Sequence, residues 1–145
     1  MKIITEKEST MTKEEIELLL IDLSARLPFG VIIHLTEPDE NEELYCLNIP
    51  QEALYTRCLT YHGATTLCPI EDCRPYLRPL STMTKEESAE YAEVWANRNP
   101  YMPGGSVDWL NRHHFDHHGL IPLGLALIAP EDMYNFEKKE DSAEK

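Results

Sequence analysis

Near the start of the chain, leucine and isoleucine side chains recur at intervals of three and four positions, at Ile16, Leu19, Leu20, Leu23 and Leu27. This spacing predicts a helix with one apolar face. Thr12 and Glu15 have the spacing of a capping box, so the helix is predicted to begin just after Thr12. Pro28 predicts its end, because the residue before a proline avoids the helical conformation.

Short runs rich in β-branched and aromatic residues follow, separated by turn-forming residues. They predict four antiparallel strands in two hairpins, at residues 30–35, 44–49, 53–61 and 64–70. The dipeptide His62-Gly63 is predicted to form the turn of the second hairpin. Because prolines recur at positions 69, 75 and 79, residues 71–81 are predicted to form an irregular connector.

Two further helices are predicted in the second half of the chain. The pentapeptide Met-Thr-Lys-Glu-Glu, first seen at residues 11–15, recurs at 83–87 and predicts a helix running to about Asn97. The Pro- and Gly-rich residues 100–105 predict a break. Ser106 is predicted to cap a third helix, which Gly119 would stop in the left-handed conformation.

These elements together predict one α+β domain at residues 12–134, with a curved antiparallel sheet of about four strands packed with three helices. Residues 1–11 and the charged residues 135–145 are predicted to be a flexible N-terminus and a flexible tail. A chain of 145 residues is of ordinary single-domain size, so one core is expected.

Charge and cysteine content narrow the classes of partner. The chain carries 13 Lys and Arg against 26 Asp and Glu, a net charge of -13, which disfavours direct binding to nucleic acid or to an anionic membrane surface. The first residues lack the apolar run of a secretory signal, and the four cysteines lack the spacing of a disulfide scaffold. We therefore expect a cytoplasmic protein with reduced thiols.

Candidate chemistry concentrates in residues 108–119, which contain four of the six histidines. If the third helix extends through this stretch, His113, Asp116 and His117 lie on one face and could hold a single ion. Two histidines and one carboxylate suit zinc or iron, and an open coordination position could activate water in a metal-dependent hydrolase. A packing interpretation explains the same residues, with Val107, Leu110 and His114 facing the sheet and the other histidines exposed or capping.

Two stretches, residues 69–84 and residues 108–127, resemble a family of small uncharacterised proteins carried by phages and integrated mobile elements of Bacteroidales. The resemblance covers most of residues 12–134 and implies a phage or mobile-element origin, but it implies no activity and no ligand. The family has Tyr-Arg where this chain has His117-His118, so the resemblance implies no shared metal site at those two positions.

Three functions are predicted from these features. The first is a non-catalytic module that binds a protein partner through a patch of Tyr101, Met102, Trp109, His113 and Asp116, since an aromatic beside a rigid loop makes a good contact anchor. The second is a metal-binding protein or metal-dependent hydrolase that uses the cluster His113–His118. The third is an acidic mimic of nucleic acid that blocks a basic partner, which requires the negative charge to lie on one face.

Overall fold

The computed structural model describes residues 11–36, 39–59, 65–96 and 105–134. Its α-helices are α1 (Lys13–Arg26), α2 (Lys85–Ala96) and α3 (Gly105–Arg112). Its strands are β1 (Ile32–Leu35), β2 (Glu40–Asn48), β3 (Ala53–Cys58), β4 (Thr65–Pro69), β5 (Cys73–Leu77) and β6 (Leu127–Ile128). The predicted α+β fold with a curved, mostly antiparallel sheet is confirmed, with six strands in place of about four.

The six strands form one sheet in the order β4-β3-β2-β1-β5-β6. Neighbouring strands are antiparallel except β5 and β6, which pair in parallel through two residues each. The prediction of an irregular connector over residues 71–81 is wrong, because residues 73–77 form β5 beside β1. Strand β6 pairs with β5 only from Tyr76 onward, so β5 is still an edge strand at Pro75. A proline is tolerated at such a position.

The sheet is strongly curled, and the short link between β4 and β5 shows why. Four inter-strand spacings separate these strands in the sheet order, which is about 19 Å in a flat sheet. The chain from Pro69 to Cys73 can span at most about 14 Å, and a 3-10 turn at Ile70–Asp72 shortens it further. A bulge at Tyr45, where the register between β2 and β3 shifts, supplies part of the bend.

The main core lies inside this curl. Helix α1 contributes its buried face, with Leu19 and Leu23 fully buried, and packs in one cluster with Ile33 of β1 and Leu54 of β3. Cys68 of β4 and Cys73 of β5 belong to the same cluster. No disulfide joins any of the four cysteines, all of which lie in the described ranges. The curl therefore wraps the sheet around α1.

The first two helix starts are as predicted. Thr12 and Glu15 form a complete capping box at α1, and Thr84 and Glu87 exchange the same two hydrogen bonds at α2, at 3.0 and 3.1 Å. Both helices also end within a few residues of their predicted limits.

Helix α3 is shorter than predicted: it ends at Arg112 and does not continue to Gly119. The helix stops because His114 adopts the left-handed conformation, with φ 65°. The amide of Phe115 then donates back to the carbonyl of Leu110 at 2.9 Å, which closes a Schellman-type cap with histidine in the position that glycine usually takes. Gly119 is left-handed too, at φ 73°, but it lies in the loop beyond the helix.

None of the helices in the described part of the chain combines the length and the apolar content that a membrane crossing requires. The predicted turn at His62-Gly63, the predicted break at residues 100–104 and most of both predicted flexible ends lie outside the described residues.

Candidate metal centre

The candidate site is built on a buried ion pair of α1. Asp22 and Arg26, one helical turn apart, are both 0% exposed. Arg26 donates from Nε to Asp22 Oδ2 at 2.7 Å and from Nη2 to Asp22 Oδ1 at 3.1 Å. A fully buried pair of this kind is held by its hydrogen bonds, because either charge alone would be expensive to bury.

Arg26 also fixes the loop that carries the histidines. Its Nη2 donates to the carbonyl of Phe115 at 2.6 Å, which ties α1 to the segment after α3. On the other side of that segment, Arg78 donates from its amide to His114 O at 2.7 Å and accepts from the amide of Asp116 at 2.9 Å. The loop is therefore held in place between α1 and the end of β5 before any ligand binds.

His117 and His118 emerge from this loop side by side, with ring centroids 4.3 Å apart. His118 Nδ1 donates to Asp22 Oδ1 at 2.7 Å, and its side chain is 30% exposed. His117 Nε2 lies 2.7 Å from the amide oxygen of Asn111, a residue of α3 that is 1% exposed. One ring nitrogen of each histidine is thus occupied by a buried partner on a helix.

Metal-ligating atoms of Asp22, His117 and His118 all lie within 4.8 Å of one another. Burial, together with the neighbouring His118 and Arg26, lowers the pKa of His117 to about 4, although Asp22 and Asp116 act in the opposite direction. His117 is therefore neutral at pH 7, which is the form of imidazole that binds metals.

The three residues that the sequence predicted as metal ligands are not brought together. Among the described residues, only His117 of that set belongs to a group with metal-binding geometry. His113 stacks on Trp109, with ring centroids 4.1 Å apart. Both carboxylate oxygens of Asp116 accept backbone hydrogen bonds, from Leu120 and Ile121 at 2.8 and 2.9 Å. The prediction assumed a continuous helix, and the left-handed turn at His114 redirects the side chains that follow it.

The predicted contact patch is also corrected in part. Trp109 is 4% exposed and packs in a small second core with Leu110 and Phe115, against Tyr91 and Val94 of α2. It is therefore a core residue, as is Asp116 at 7% exposure, while His113 is half-buried. Tyr101 and Met102 lie outside the described residues. The packing interpretation is correct for Leu110 and His114, which are buried, but Val107 is 43% exposed.

Sequence reasoning missed Asp22, Arg26 and Asn111, although a signal for the first two was present. Asp22 and Arg26 lie four positions apart inside the apolar stripe of α1, where a charged residue is expected only if it has a buried partner. Asn111 gave no comparable signal, because an asparagine near the end of a short helix is ordinary.

Comparison of the chain with protein-family models, with curated proteins and with solved structures gives no match. The phage or mobile-element origin, the protein partner and the acidic mimicry therefore stay predictions from the sequence.

Proposed function

We propose that this protein binds one divalent transition-metal ion at the cluster of Asp22, His117 and His118. The observation that carries the proposal is the convergence of their ligating atoms within 4.8 Å, from two segments 95 or more positions apart in the sequence. Asn111 on α3 holds His117, and the contact between Asp22 and His118 holds those two residues together, so the site is ordered without a ligand. The bond from His117 to Asn111 is of the kind that metal-ligating histidines usually make with their second ring nitrogen.

The chemistry of the donors selects the class of ion. Two imidazole nitrogens favour zinc, copper, nickel or ferrous iron over magnesium and calcium, which prefer sites made of oxygen. The charge of the Asp22 carboxylate is already matched by Arg26, so the cluster offers little net negative charge to a hard cation.

At most three protein ligands leave at least one coordination position for water. A position of that kind distinguishes catalytic zinc sites from closed structural ones, and a bound ion would lower the pKa of the water toward neutrality. Hydrolysis is therefore the class of reaction that a metal-loaded site would support.

The first experiment is zinc titration by calorimetry on untagged protein, with elemental analysis of protein purified without chelator. We expect one zinc per chain and no binding of magnesium. His117→Ala and His118→Ala should each weaken zinc binding by at least tenfold, since each removes a ligand. His117→Gln and His118→Asn serve as backups if an alanine variant melts early.

His113→Ala is the matched control, because His113 belongs to the same segment but faces Trp109. It should bind zinc like the wild type. Wild-type protein without stoichiometric zinc binding, or an equal loss in the His113→Ala control, would contradict the proposal.

A further inference from the structure

Strand β4 forms one edge of the sheet, and among the described strands it pairs with β3 alone. Its residues Thr65, Thr66 and Leu67 are exposed. Proteins usually protect such an edge with charged side chains, because its unpaired N–H and C=O groups can bind another strand. None of the five residues of β4 is charged, although the chain as a whole has a net charge of -13. This edge is therefore open to strand pairing.

The hydrogen bonds to β3 show which backbone groups of β4 face outward. The amide of Ile70 donates to Glu52 O at 3.0 Å, so these two residues form a hydrogen-bonded pair just beyond the end of β4. Such pairs alternate along an antiparallel ladder. Thr66 therefore bonds to β3, whereas the N–H and C=O groups of Thr65 and Leu67 point away from the sheet.

Pro69 limits the register that a second strand can take on this edge. It is the next outward-facing residue after Leu67, but it has no N–H, and its carbonyl already accepts the thiol of Cys73 at 3.3 Å. A second copy of β4 avoids Pro69 when a two-fold axis passes beside Thr66. Thr65 of each copy then lies opposite Leu67 of the other, and both residues exchange their outward N–H and C=O groups.

The charges around β4 suit a second copy of the same strand. Arg57 of β3 is in register with Thr65 at one end of β4, and Glu71 and Asp72 follow the other end. A two-fold axis reverses the strand direction, so the basic end of each copy lies toward the acidic end of the other. No like charges meet at the axis itself, because β4 has no charged residue. This complementarity favours antiparallel pairing of two copies.

We infer that two copies of this chain associate through the outward edge of β4, in antiparallel register with Thr66 beside the two-fold axis. The sheet then continues from one copy into the other. The inference does not depend on the proposed metal site. One five-residue strand makes a small interface, so we expect weak association, with a dissociation constant between about 10 μM and 1 mM.

The first test is sedimentation equilibrium of the full chain from about 10 μM to 1 mM, the range in which a weak interface should assemble. We expect a monomer–dimer equilibrium. Thr66→Lys places two positive charges opposite each other at the axis and should weaken the dimer by at least tenfold. Leu67→Pro is the second variant, because it removes an outward N–H and leaves the bonds to β3 in place.

Ile128→Lys is the matched control. It adds the same charge at the other edge of the sheet, on β6, where the side chain of Ile128 is 60% exposed. It should dimerise like the wild type. Circular dichroism and the melting temperature confirm that each variant is folded.

Amide hydrogen exchange, followed by NMR at low and high protein concentration, tests the register. The amides of Thr65 and Leu67 should exchange more slowly as the dimer forms. The amide of Thr66 should be protected at every concentration, because it is bonded to β3 in the monomer.

Four results would overturn the inference. The first is a chain that stays monomeric up to about 1 mM, the weak limit of such an interface. The second is a dimer that persists in folded Thr66→Lys or Leu67→Pro protein, and the third is a dimer that is lost in Ile128→Lys. The fourth is a Leu67 amide that is equally protected in dilute protein, which would mean that another segment of the same chain covers the edge.

Discussion

At the scale of single residues, the buried carboxylate of Asp22 depends on partners that neutralise its charge. Asp22 accepts hydrogen bonds from both Arg26 and His118, and it links α1 to the histidine loop. Because the pair is fully buried, each residue contributes to stability less through the attraction between the two charges than by keeping the other from being a lone buried charge.

Arg26→Met should therefore lower the free energy of unfolding by about 3–5 kcal/mol. Methionine fills much of the same space, but it removes the guanidinium that pairs with the buried carboxylate of Asp22. The measurement is urea denaturation followed by circular dichroism. The double variant Asp22→Asn/Arg26→Met should lose less than the single one, because no lone charge remains. Lys13→Ala, at an exposed position of the same helix, is the control; a single variant that costs no more than this control would show that the ion pair is unimportant.

His114 should make the stability of the fold depend on pH. Burial, with Arg26, Arg78 and His113 nearby, lowers its pKa to about 3 from an ordinary 6.5. Between about pH 3 and pH 6.5, His114 therefore binds a proton in the unfolded chain but not in the folded chain. Its contribution is complete above pH 6.5 and is lost as pH falls toward 3, at up to about 1.4 kcal/mol per pH unit.

His114→Asn isolates this effect, because asparagine accepts a positive φ and does not titrate. We expect the stability difference between wild type and variant, measured by urea unfolding at pH 7, 5.5 and 4, to shift in favour of the variant as pH falls. A difference that stays constant over this range would mean that His114 takes up its proton equally in both states.

The features that could be predicted from the sequence depend on contacts between residues that are close in the chain, whereas those that were missed depend on contacts between distant residues. The caps at Thr12 and Thr84 were predictable, because each depends on a partner three positions away. His117 was predicted to lie beside His113 and Asp116, but the group with metal-binding geometry places it beside Asp22 and His118, because the chain turns at His114, where histidine stands in place of the usual glycine.

At the scale of elements, the repeated pentapeptide gives two helix starts with the same cap and different surroundings. Glu15 closes its capping box. Glu87 closes the second box and also accepts two bonds from Arg78, at 2.7 and 3.0 Å, while the guanidinium of Arg78 lies over the ring of Phe115. The second cap therefore joins α2 to β5 and to the small core around Trp109.

Glu87→Ala should consequently destabilise the fold more than Glu15→Ala, by about 1 kcal/mol, the upper value for a surface ion pair with good geometry. Thermal and urea unfolding of the two variants give the comparison directly. In an Arg78→Gln background the two losses should become similar. If they are already equal in the wild-type background, the Arg78 contact adds nothing to the cap.

The elements with a clear hydrophobic period or a cap were predicted from the sequence, and those without were not. Helix α1 and the β1-β2 hairpin have such signals. Strand β5 contains Pro75 and is only five residues long, so its local sequence favours a loop, and its pairing with β1 comes from residues about 40 positions away. The end of α3 was missed for the same reason, because His114 contacts Arg78, just after β5, and Tyr134.

At the scale of the whole molecule, the proposed metal site connects the first helix to the segment after the last one. A ligand that binds only the folded chain stabilises it by mass action. Zinc at one hundred times its dissociation constant should therefore raise the free energy of unfolding by about 2.7 kcal/mol, and EDTA should reverse the change.

Urea denaturation with and without zinc measures this increment. His118→Ala should not show it, whereas His113→Ala should show it in full. An equal increment in His118→Ala would mean that zinc acts elsewhere on the chain. The sequence could not have predicted this site, because Asp22 and His118 are 96 positions apart and only the fold places them 2.7 Å from each other.

The three-residue turn between β4 and β5 acts as a fixed-length tether for the sheet. Its amide at Ile70 donates to Glu52 O and its carbonyl at Asp72 accepts from Thr36, so it is fastened at the start of β3 and just beyond the end of β1. The number of residues in this tether therefore sets how tightly the sheet encloses α1, and with it the volume available to the core. Insertions here, unlike insertions in an ordinary surface loop, would alter the interior of the protein.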